Sequence, residues 1–169
     1  MARKFNLRHF QTELSRRMQA AADTPAQTSR LGFQAAGENW LIPLDEIDEV
    51  TPIPPIESTP GTVRWFRGIA NIRGNLYAVS DLTDFLTGTP TQTSHEGRLL
   101  LIHRKHGINA ALIVQRSLGL KQAGQLAPAQ TVKRPFALVS FVEHNGANWH
   151  EIDLPSLLSD PVFLSVEAS

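Results

Sequence analysis

One local pattern constrains this sequence most, because it occurs twice: two short apolar runs joined by a tight turn and followed by a helix start. In the first copy, the runs at residues 69–73 and 76–79 are rich in branched side chains. Gly74-Asn75 between them is a two-residue hairpin signal, because glycine tolerates the positive φ of such turns. Asp81 follows and is suited to cap a short helix. The pattern predicts strand, turn, strand and helical turn.

The second copy lies 72 residues further along the chain. The turn glycine and the cap both recur, as Gly146 and Asp153. A weaker similarity relates residues 30–44 to residues 98–114, at an offset of 70 between their turn glycines. The simplest interpretation is two copies of one β-rich unit.

Turn signals roughly every eight to twelve residues divide both units into short strands. About five strands in each unit favour a pair of small barrels over one sandwich, and we expect little helix. The predicted barrels cover residues 29–88 and 97–169, with a polar connection between them. Residues 51–61 hold four prolines and residues 126–135 lack periodicity, so both are predicted to be loops. Residues 162–166 are predicted to form a final strand.

Composition excludes several classes of protein. The chain has 169 residues and is 41% hydrophobic, which is typical of a globular protein with a real core. Sixteen basic and sixteen acidic residues give zero net charge, so the whole molecule has no electrostatic reason to bind nucleic acid or anionic membrane. The absence of cysteine excludes disulfides and thiol chemistry and fits a reducing compartment. No apolar run reaches the roughly 20 residues that span a bilayer, and no secretory signal is recognised.

The first 28 residues form a predicted N-terminal extension of different character. An apolar stripe at helical spacing predicts an amphipathic helix over about residues 1–22, and a linker begins at Asp23. The stripe consists of Leu7, Phe10, Leu14, Met18 and Ala21, and the other faces carry Arg3, Lys4, Arg8, Arg16 and Arg17. A partner-docking helix, a membrane-surface helix and a transit peptide are alternatives. We favour a terminal helix packed against the body of the protein.

A search for chemistry finds no glycine-rich phosphate loop, kinase signature or hydrolase elbow, so no catalytic residue, cofactor or metal ligand is predicted. His103 and His106 flank two cations at a turn. Residues three apart on a strand point to opposite faces, so a solvated turn is favoured over a metal site or a nucleic-acid patch. The acidic run at residues 45–49 is interpreted as solvated or ion-paired.

Arg73 lies at the predicted end of a strand, with no acidic neighbour in sequence. If it packs between the units, it needs a carboxylate from elsewhere in the chain, because an unpaired buried charge is costly. The alternative is a solvent-facing arginine at a hairpin tip. The residues alone leave both interpretations open.

Taken together, the motif GIANIRGNLYAVSDL resembles the signature of the CheW-like chemotaxis coupling domains, a Gly-x-x-Asn-x-Arg-Gly stretch followed by an apolar strand and Asp-Leu. The preceding PGTVRWFRG and the earlier WLIPLDEIDEV resemble the same family. The resemblance covers about residues 29–166. Ala70 and Ser80 depart from the bulkier or β-branched residues usual at their positions, and these departures concern packing. The N-terminal extension and the form NxRGNLYxVxDL are similar to PilI-type coupling proteins of type IV pilus systems.

The resemblance implies an all-β fold of two intertwined five-stranded SH3-like barrels and a non-enzymatic adaptor function. The implied partners are the regulatory domain of a CheA-type histidine kinase and the cytoplasmic tip of a methyl-accepting chemoreceptor. It implies a cytoplasmic protein recruited to membrane-associated receptor arrays, without nucleic-acid binding or membrane insertion. Glu49 and Arg73 are expected to form a salt bridge, and the implied partner-binding residues are Ile47, Glu49, Gly68, Asn71 and Arg73. A small-barrel nucleic-acid-binding protein is the alternative.

Overall fold

The computed structural model describes residues 29–92, 94–130 and 133–168, and the helix predicted for the N-terminal extension lies outside them. Within these residues the chain forms eleven strands and three short α-helices. The strands are β1 (Arg30–Ala35), β2 (Glu38–Pro43), β3 (Ile47–Pro52), β4 (Phe66–Ile72), β5 (Asn75–Asp81), β6 (Arg98–Ile102), β7 (Ala110–Val114), β8 (Arg116–Lys121), β9 (Leu126–Pro128), β10 (Ala137–Glu143) and β11 (Asn148–Ile152). The helices are α1 (Leu82–Thr87), α2 (Leu154–Ser159) and α3 (Pro161–Leu164). None of these helices is long and apolar enough to cross a membrane.

The strands form two sheets that exchange hairpins between the sequence repeats. Sheet I has the order β3-β6-β7-β5-β4, and sheet II has the order β8-β1-β2-β11-β10-β9. The repeat relates β1 and β2 to β6 and β7, β3 to β8, and β4 and β5 to β10 and β11. With these replacements the strand order of sheet I becomes the order of sheet II, apart from the extra strand β9. The parallel neighbours β5 and β7 in sheet I likewise correspond to β11 and β2 in sheet II. The all-β, intertwined architecture is confirmed, with six strands rather than five in sheet II.

Capping aspartates explain where the helix that follows the last hairpin begins in each repeat. The Asp81 side chain accepts a hydrogen bond from Asp84 N, and the Asp153 side chain accepts one from Ser156 N. The two aspartates therefore occupy equivalent N-cap positions, as the 72-residue offset predicts. Asp81 also accepts bonds from the backbone and hydroxyl of Thr91 at 2.9 and 2.6 Å, which fixes the connection between the repeats.

The described residues form three apolar clusters, and the largest joins the two sheets. The largest lies between them and includes Phe33 and Trp40 from sheet II and Leu100 and Leu112 from sheet I, all almost completely buried. The other face of each sheet carries its own smaller cluster, around Val79 and Leu99 in sheet I and around Leu41 and Trp149 in sheet II. The inner strands β1, β2, β6, β7 and β11 are therefore buried on both faces, and the two halves share their main core.

Two of the predicted elements are wrong. Residues 161–164 form helix α3 rather than a final strand, because the Asp160 side chain accepts hydrogen bonds from Val162 N and Phe163 N and Pro161 takes the first helical position. The loop predicted for residues 126–135 contains β9, a three-residue edge strand that pairs with β10. The predicted loop at residues 51–61 is confirmed beyond the end of β3, and the low helical content is confirmed for the described part of the chain.

Candidate functional site

The predicted partner-binding residues lie on the two edge strands of sheet I. Ile47 and Glu49 belong to β3 at one edge, and Gly68 and Asn71 belong to β4 at the other. Arg73 follows β4 in the turn to β5. The structure brings Glu49 and Arg73 into contact, so the sheet curves until its two edges approach each other. The Ile47 side chain is buried in the main core and supports this surface from beneath.

The turn that carries Arg73 is one residue away from its predicted position. Ile72 pairs with Asn75, so the two-residue loop is Arg73-Gly74 rather than Gly74-Asn75. Arg73 has φ 53° and Gly74 has φ 85°, the combination that a type I′ hairpin turn requires. The Asn71 side chain stabilises the turn by accepting a hydrogen bond from Gly74 N at 2.9 Å. An arginine in this left-handed conformation is uncommon and marks the position as one set by its surroundings.

Glu49 orients the Arg73 guanidinium. Arg73 Nη2 donates to Glu49 Oε1 at 2.8 Å, and the two side chains are 76% and 31% exposed. The strand register shifts between Ile47 and Glu49, so Asp48 is the extra residue of a bulge opposite β6. The cation is thus held in one direction while most of its surface stays in contact with solvent.

Two apolar side chains at this end of sheet I are exposed to solvent. Leu76 is 60% exposed and Ile108 is 41% exposed. Ala78, two residues after Leu76, pairs in parallel with Ala110, two residues after Ile108, so both exposed side chains precede the paired parts of neighbouring segments. A cavity of about 150 Å³ lined by Asp48, Asn75, Tyr77, Ile102, Arg104 and Asn109 lies at the same end of the sheet. The surface combines a fixed charge, small polar groups and apolar area.

Gly68 shapes the surface through the backbone. Its φ is +122°, and a Cβ at this position would lie 2.0 Å from the Glu57 carbonyl oxygen. Glu57 and Ile69 exchange two backbone hydrogen bonds of 2.9 Å, which hold the proline-rich loop against β4. A side chain at Gly68 would separate these two segments.

The acidic run and the basic turn, interpreted separately in the sequence, contact each other. Lys105 Nζ donates to Asp45 at 3.0 Å and to Glu46 at 2.9 Å, and His106 contacts Glu46. The hydrogen bond from Lys105 lowers the pKa of Asp45, and the bonds to Glu46 and Asp45 raise the pKa of Lys105. Arg104 faces Asp48 at 3.6 Å. The cations at this turn are therefore paired with carboxylates of the acidic run.

Sheet II contains a second polar cavity that the sequence did not indicate. It has a volume of about 370 Å³, and Glu38, Arg134, Ser140 and His150 contribute to its lining. Arg134 pairs with Glu38 at 2.7 Å, and the buried His150 contacts the Ser140 hydroxyl through Nδ1 at 3.0 Å. Burial lowers the pKa of His150 and favours its neutral form. Among the described residues, no group of three or more histidines and acidic residues is arranged to hold a metal ion.

Comparison with known proteins gives a consistent result. A family model described as the CheW-like domain matches residues 30–161. Protein PilI of Pseudomonas aeruginosa is 30% identical over 158 residues, covering 86% of this chain and 87% of that protein. Among solved structures, the scaffolding protein TtCheW from Thermoanaerobacter tengcongensis superposes with a TM-score of 0.69 at 21% identity, over 82% of this chain and 92% of that one.

Proposed function

The chain belongs to the CheW-like family, and from that premise we propose that it is a non-enzymatic adaptor coupling chemoreceptors to a CheA-type histidine kinase. The similarity to PilI supports a place in a type IV pilus system that controls twitching motility. The adaptor acts in the cytoplasm and is recruited to membrane-associated receptor arrays. Its two partners are the regulatory domain of the kinase and the cytoplasmic tip of the receptor.

The observation that carries the proposal is the exposed, oriented cation at the curved edge of sheet I. Arg73 is 76% exposed yet fixed by Glu49, and the exposed Leu76 lies three residues away on the adjoining strand. A coiled-coil receptor tip presents both charged and apolar side chains, and this surface offers complementary groups for both. Asn71 and Gly68 serve it indirectly, by fixing the turn and the neighbouring loop.

Energetic magnitudes favour recognition over stability as the role of the ion pair. A pair this exposed contributes only about 0–1 kcal/mol to folding. In an interface, removing one partner of a desolvated, hydrogen-bonded charge pair costs roughly 2–5 kcal/mol of binding free energy. The same side chain therefore matters far more to binding than to the isolated protein.

Arg73→Ala tests the surface directly. We expect at least a tenfold loss of affinity for a receptor cytoplasmic fragment, measured by calorimetry, with kinase binding less affected. Arg116→Ala is the matched control, because Arg116 is also exposed and bonds only to the Gln34 side chain among the described residues. Unchanged receptor affinity together with a large loss of stability would show that Arg73 is a structural brace.

Reconstitution tests the coupling function itself. The purified protein should increase receptor-dependent autophosphorylation of its partner kinase while consuming no ATP on its own. ATP hydrolysis by the isolated protein that a point mutation abolishes would contradict the proposal. Retention on heparin or single-stranded DNA in place of kinase capture would support the nucleic-acid alternative instead.

A further inference from the structure

The small polar cavity on sheet I shares its chain segments with the Glu49–Arg73 ion pair. Asp48 in its wall directly precedes Glu49 on β3. Asn75, also in the wall, closes the turn that carries Arg73 by pairing with Ile72. The volume of about 150 Å³ is roughly five times the share of one water molecule in the liquid, so a side chain of a partner can enter.

Three side chains in the wall have hydrogen-bonding capacity that the described residues do not use. They are Asn75, Tyr77 and Asn109. Neither the two side-chain carboxamides nor the phenol hydroxyl has a hydrogen-bond partner among the described residues. The segments of Tyr77 and Asn109 lie together, because Ala78 N donates to the Asn109 carbonyl at 2.9 Å. The wall therefore offers several free donors and acceptors at once.

The charged side chains of the wall compensate each other. Asp48 accepts a hydrogen bond from Arg104 N at 3.3 Å, and Arg104 Nε lies 3.6 Å from the same carboxylate oxygen. His103 Nε2 lies 3.5 Å from the other oxygen. An incoming cation is repelled by Arg104 and an incoming carboxylate by Asp48. A neutral polar group therefore suits this wall best.

The corresponding side chains of sheet II are engaged. The 72-residue offset relates Tyr77 to Trp149, whose Nε1 donates to a carboxylate of its own sheet at 3.3 Å. The 70-residue offset relates Asn109 to Asn39, whose Nδ2 donates to the Asn148 carbonyl at 3.4 Å. Free polar groups at these positions are therefore a property of sheet I, the sheet that carries the exposed ion pair.

We propose that this cavity binds the side-chain carboxamide of a glutamine or asparagine on the receptor tip, an inference that rests on the proposed function. A carboxamide carries no charge, and it both donates and accepts hydrogen bonds, as do the two carboxamides and the hydroxyl of the wall. A serine hydroxyl is shorter and has a single proton to donate. Arg73 then supplies the charged contact, and the cavity determines which neutral side chain the receptor presents beside it.

Calorimetry with a receptor cytoplasmic fragment tests the proposal. Asn109→Ala and Tyr77→Phe each remove a polar group that bonds to no described residue, so the melting temperature should stay nearly unchanged. Each should weaken receptor binding about three- to tenfold, the effect of one lost hydrogen bond. Asn39→Ala is the matched control, because Asn39 occupies the equivalent position in sheet II, and it should leave the receptor affinity unchanged.

Asn109→Asp tests the chemical class of the bound group. This change removes a donor and adds a carboxylate to the wall, so binding of a carboxamide should weaken at least as much as with Asn109→Ala. Tighter binding by Asn109→Asp would show that a cation occupies the cavity, which would overturn the proposal.

A double-mutant cycle identifies the receptor side chain. Each glutamine and asparagine of the receptor tip is changed to alanine, and one of these variants should lose no further affinity when combined with Asn109→Ala. Absence of coupling at every such position, while Arg73→Ala still weakens binding, would overturn this inference and leave the proposed function intact. Failure of the wild-type protein to bind the receptor fragment would overturn both.

Discussion

Each sheet carries an ion pair between an edge strand and a hairpin on the opposite side of the sheet. The edge strand is β3 in sheet I and β8 in sheet II. The two pairs differ in exposure, and this difference suggests different roles. In sheet I, Glu49 on β3 pairs with Arg73, and both side chains are open to solvent. In sheet II, Lys121 on β8 pairs with Glu143 at the end of β10 at 2.6 Å. The order of charges is reversed, and the second pair is only 18% and 14% exposed.

The surroundings of the second pair explain its different role. Lys121 Nζ lies 4.7 Å from the centre of the Trp149 ring, and Trp149 Nε1 donates to Glu143 Oε2 at 3.3 Å. The hydrogen bond from Lys121 lowers the pKa of Glu143, so the pair stabilises the fold at neutral pH and loses this effect as the pH falls through the carboxyl's lowered pKa. The Lys121–Glu143 pair is therefore held among other side chains, whereas the Glu49–Arg73 pair stays exposed, as the proposed partner surface requires.

The largest effect should come from a position where the repeats differ in backbone geometry. The 72-residue offset relates Gly68 to Ser140, and only Gly68 has a positive φ and a neighbouring backbone in the way of a side chain. We expect Gly68→Ala to destabilise the protein by roughly 3 kcal/mol, which lowers the melting temperature by roughly 6–12 °C.

Gly146→Ala is the control for strain alone, because Gly146 has φ +84° but open space around it. Its cost should stay at about 1–2 kcal/mol. Equal losses for the two alanine variants would mean that the Glu57 backbone moves aside without cost and that the loop is not fixed at this point.

The braced pair should give the next largest effect. Lys121→Met keeps the apolar stem but removes the charge and its contacts with Glu143 and Trp149. We expect a loss of about 2 kcal/mol in the free energy of unfolding, measured by urea denaturation at pH 7. The loss should shrink as the pH falls from about 4.5 through the lowered pKa of Glu143, because the unfolded chain then takes up a proton before the native carboxylate does. A loss that persists unchanged at pH 3 would point to packing rather than charge.

A smaller effect should follow acidification. Burial lowers the pKa of His150, so the unfolded chain binds more protons than the native protein below about pH 6.5. Stability is therefore lost as the pH falls from 7 to 5. The facing charged groups are Glu38, which opposes the shift, and Arg134, which reinforces it. His150→Gln should reduce the slope of stability against pH over this interval. An unchanged slope would assign the acid sensitivity to other groups.

The smallest change in stability should come from the exposed pair. Arg73→Ala should change the free energy of unfolding by only about 0–1 kcal/mol, and the change should decrease further in 1 M salt, which screens exposed charges. Measurement of both variants, Arg73→Ala and Lys121→Met, compares the contributions of the two ion pairs to stability. If Arg73→Ala lowered the free energy of unfolding as much as Lys121→Met, both ion pairs would stabilise the fold and the proposed difference in role would be wrong.

Features that depend on near neighbours in sequence were predictable. The caps Asp81 and Asp153 and the glycine turns follow from the backbone preferences of a few consecutive residues. The helix at Pro161 was also within reach, since Asp160-Pro161 is an N-cap followed by a favoured first helical residue. The apolar residues at 162–166 nevertheless suggest a strand, because so short a run does not distinguish the strand period from the helix period.

Features that depend on distant segments were out of reach. Lys105 contacts Asp45, which lies 60 residues away in sequence, and nothing in the sequence around either residue indicates this pairing. The Gly-Asn pair predicts the turn one residue too late, because the pairing of Ile72 with Asn75 sets the register of the hairpin. The Glu49–Arg73 contact was anticipated through the family resemblance rather than from the residues, which left a paired and a free arginine equally open.

The exchange of hairpins between the repeats determines when the chain can become stable during its synthesis. The hairpin of β1 and β2 emerges first, but its neighbours β8 and β11 are made some 80 to 110 residues later. Neither half of the gene product can bury its apolar surface alone, so the early hairpin stays exposed until translation is nearly complete. Pairings this distant in sequence slow folding and prolong the period in which unpaired edges can aggregate. Separately expressed halves should accordingly be insoluble apart and recover native structure only when mixed during refolding.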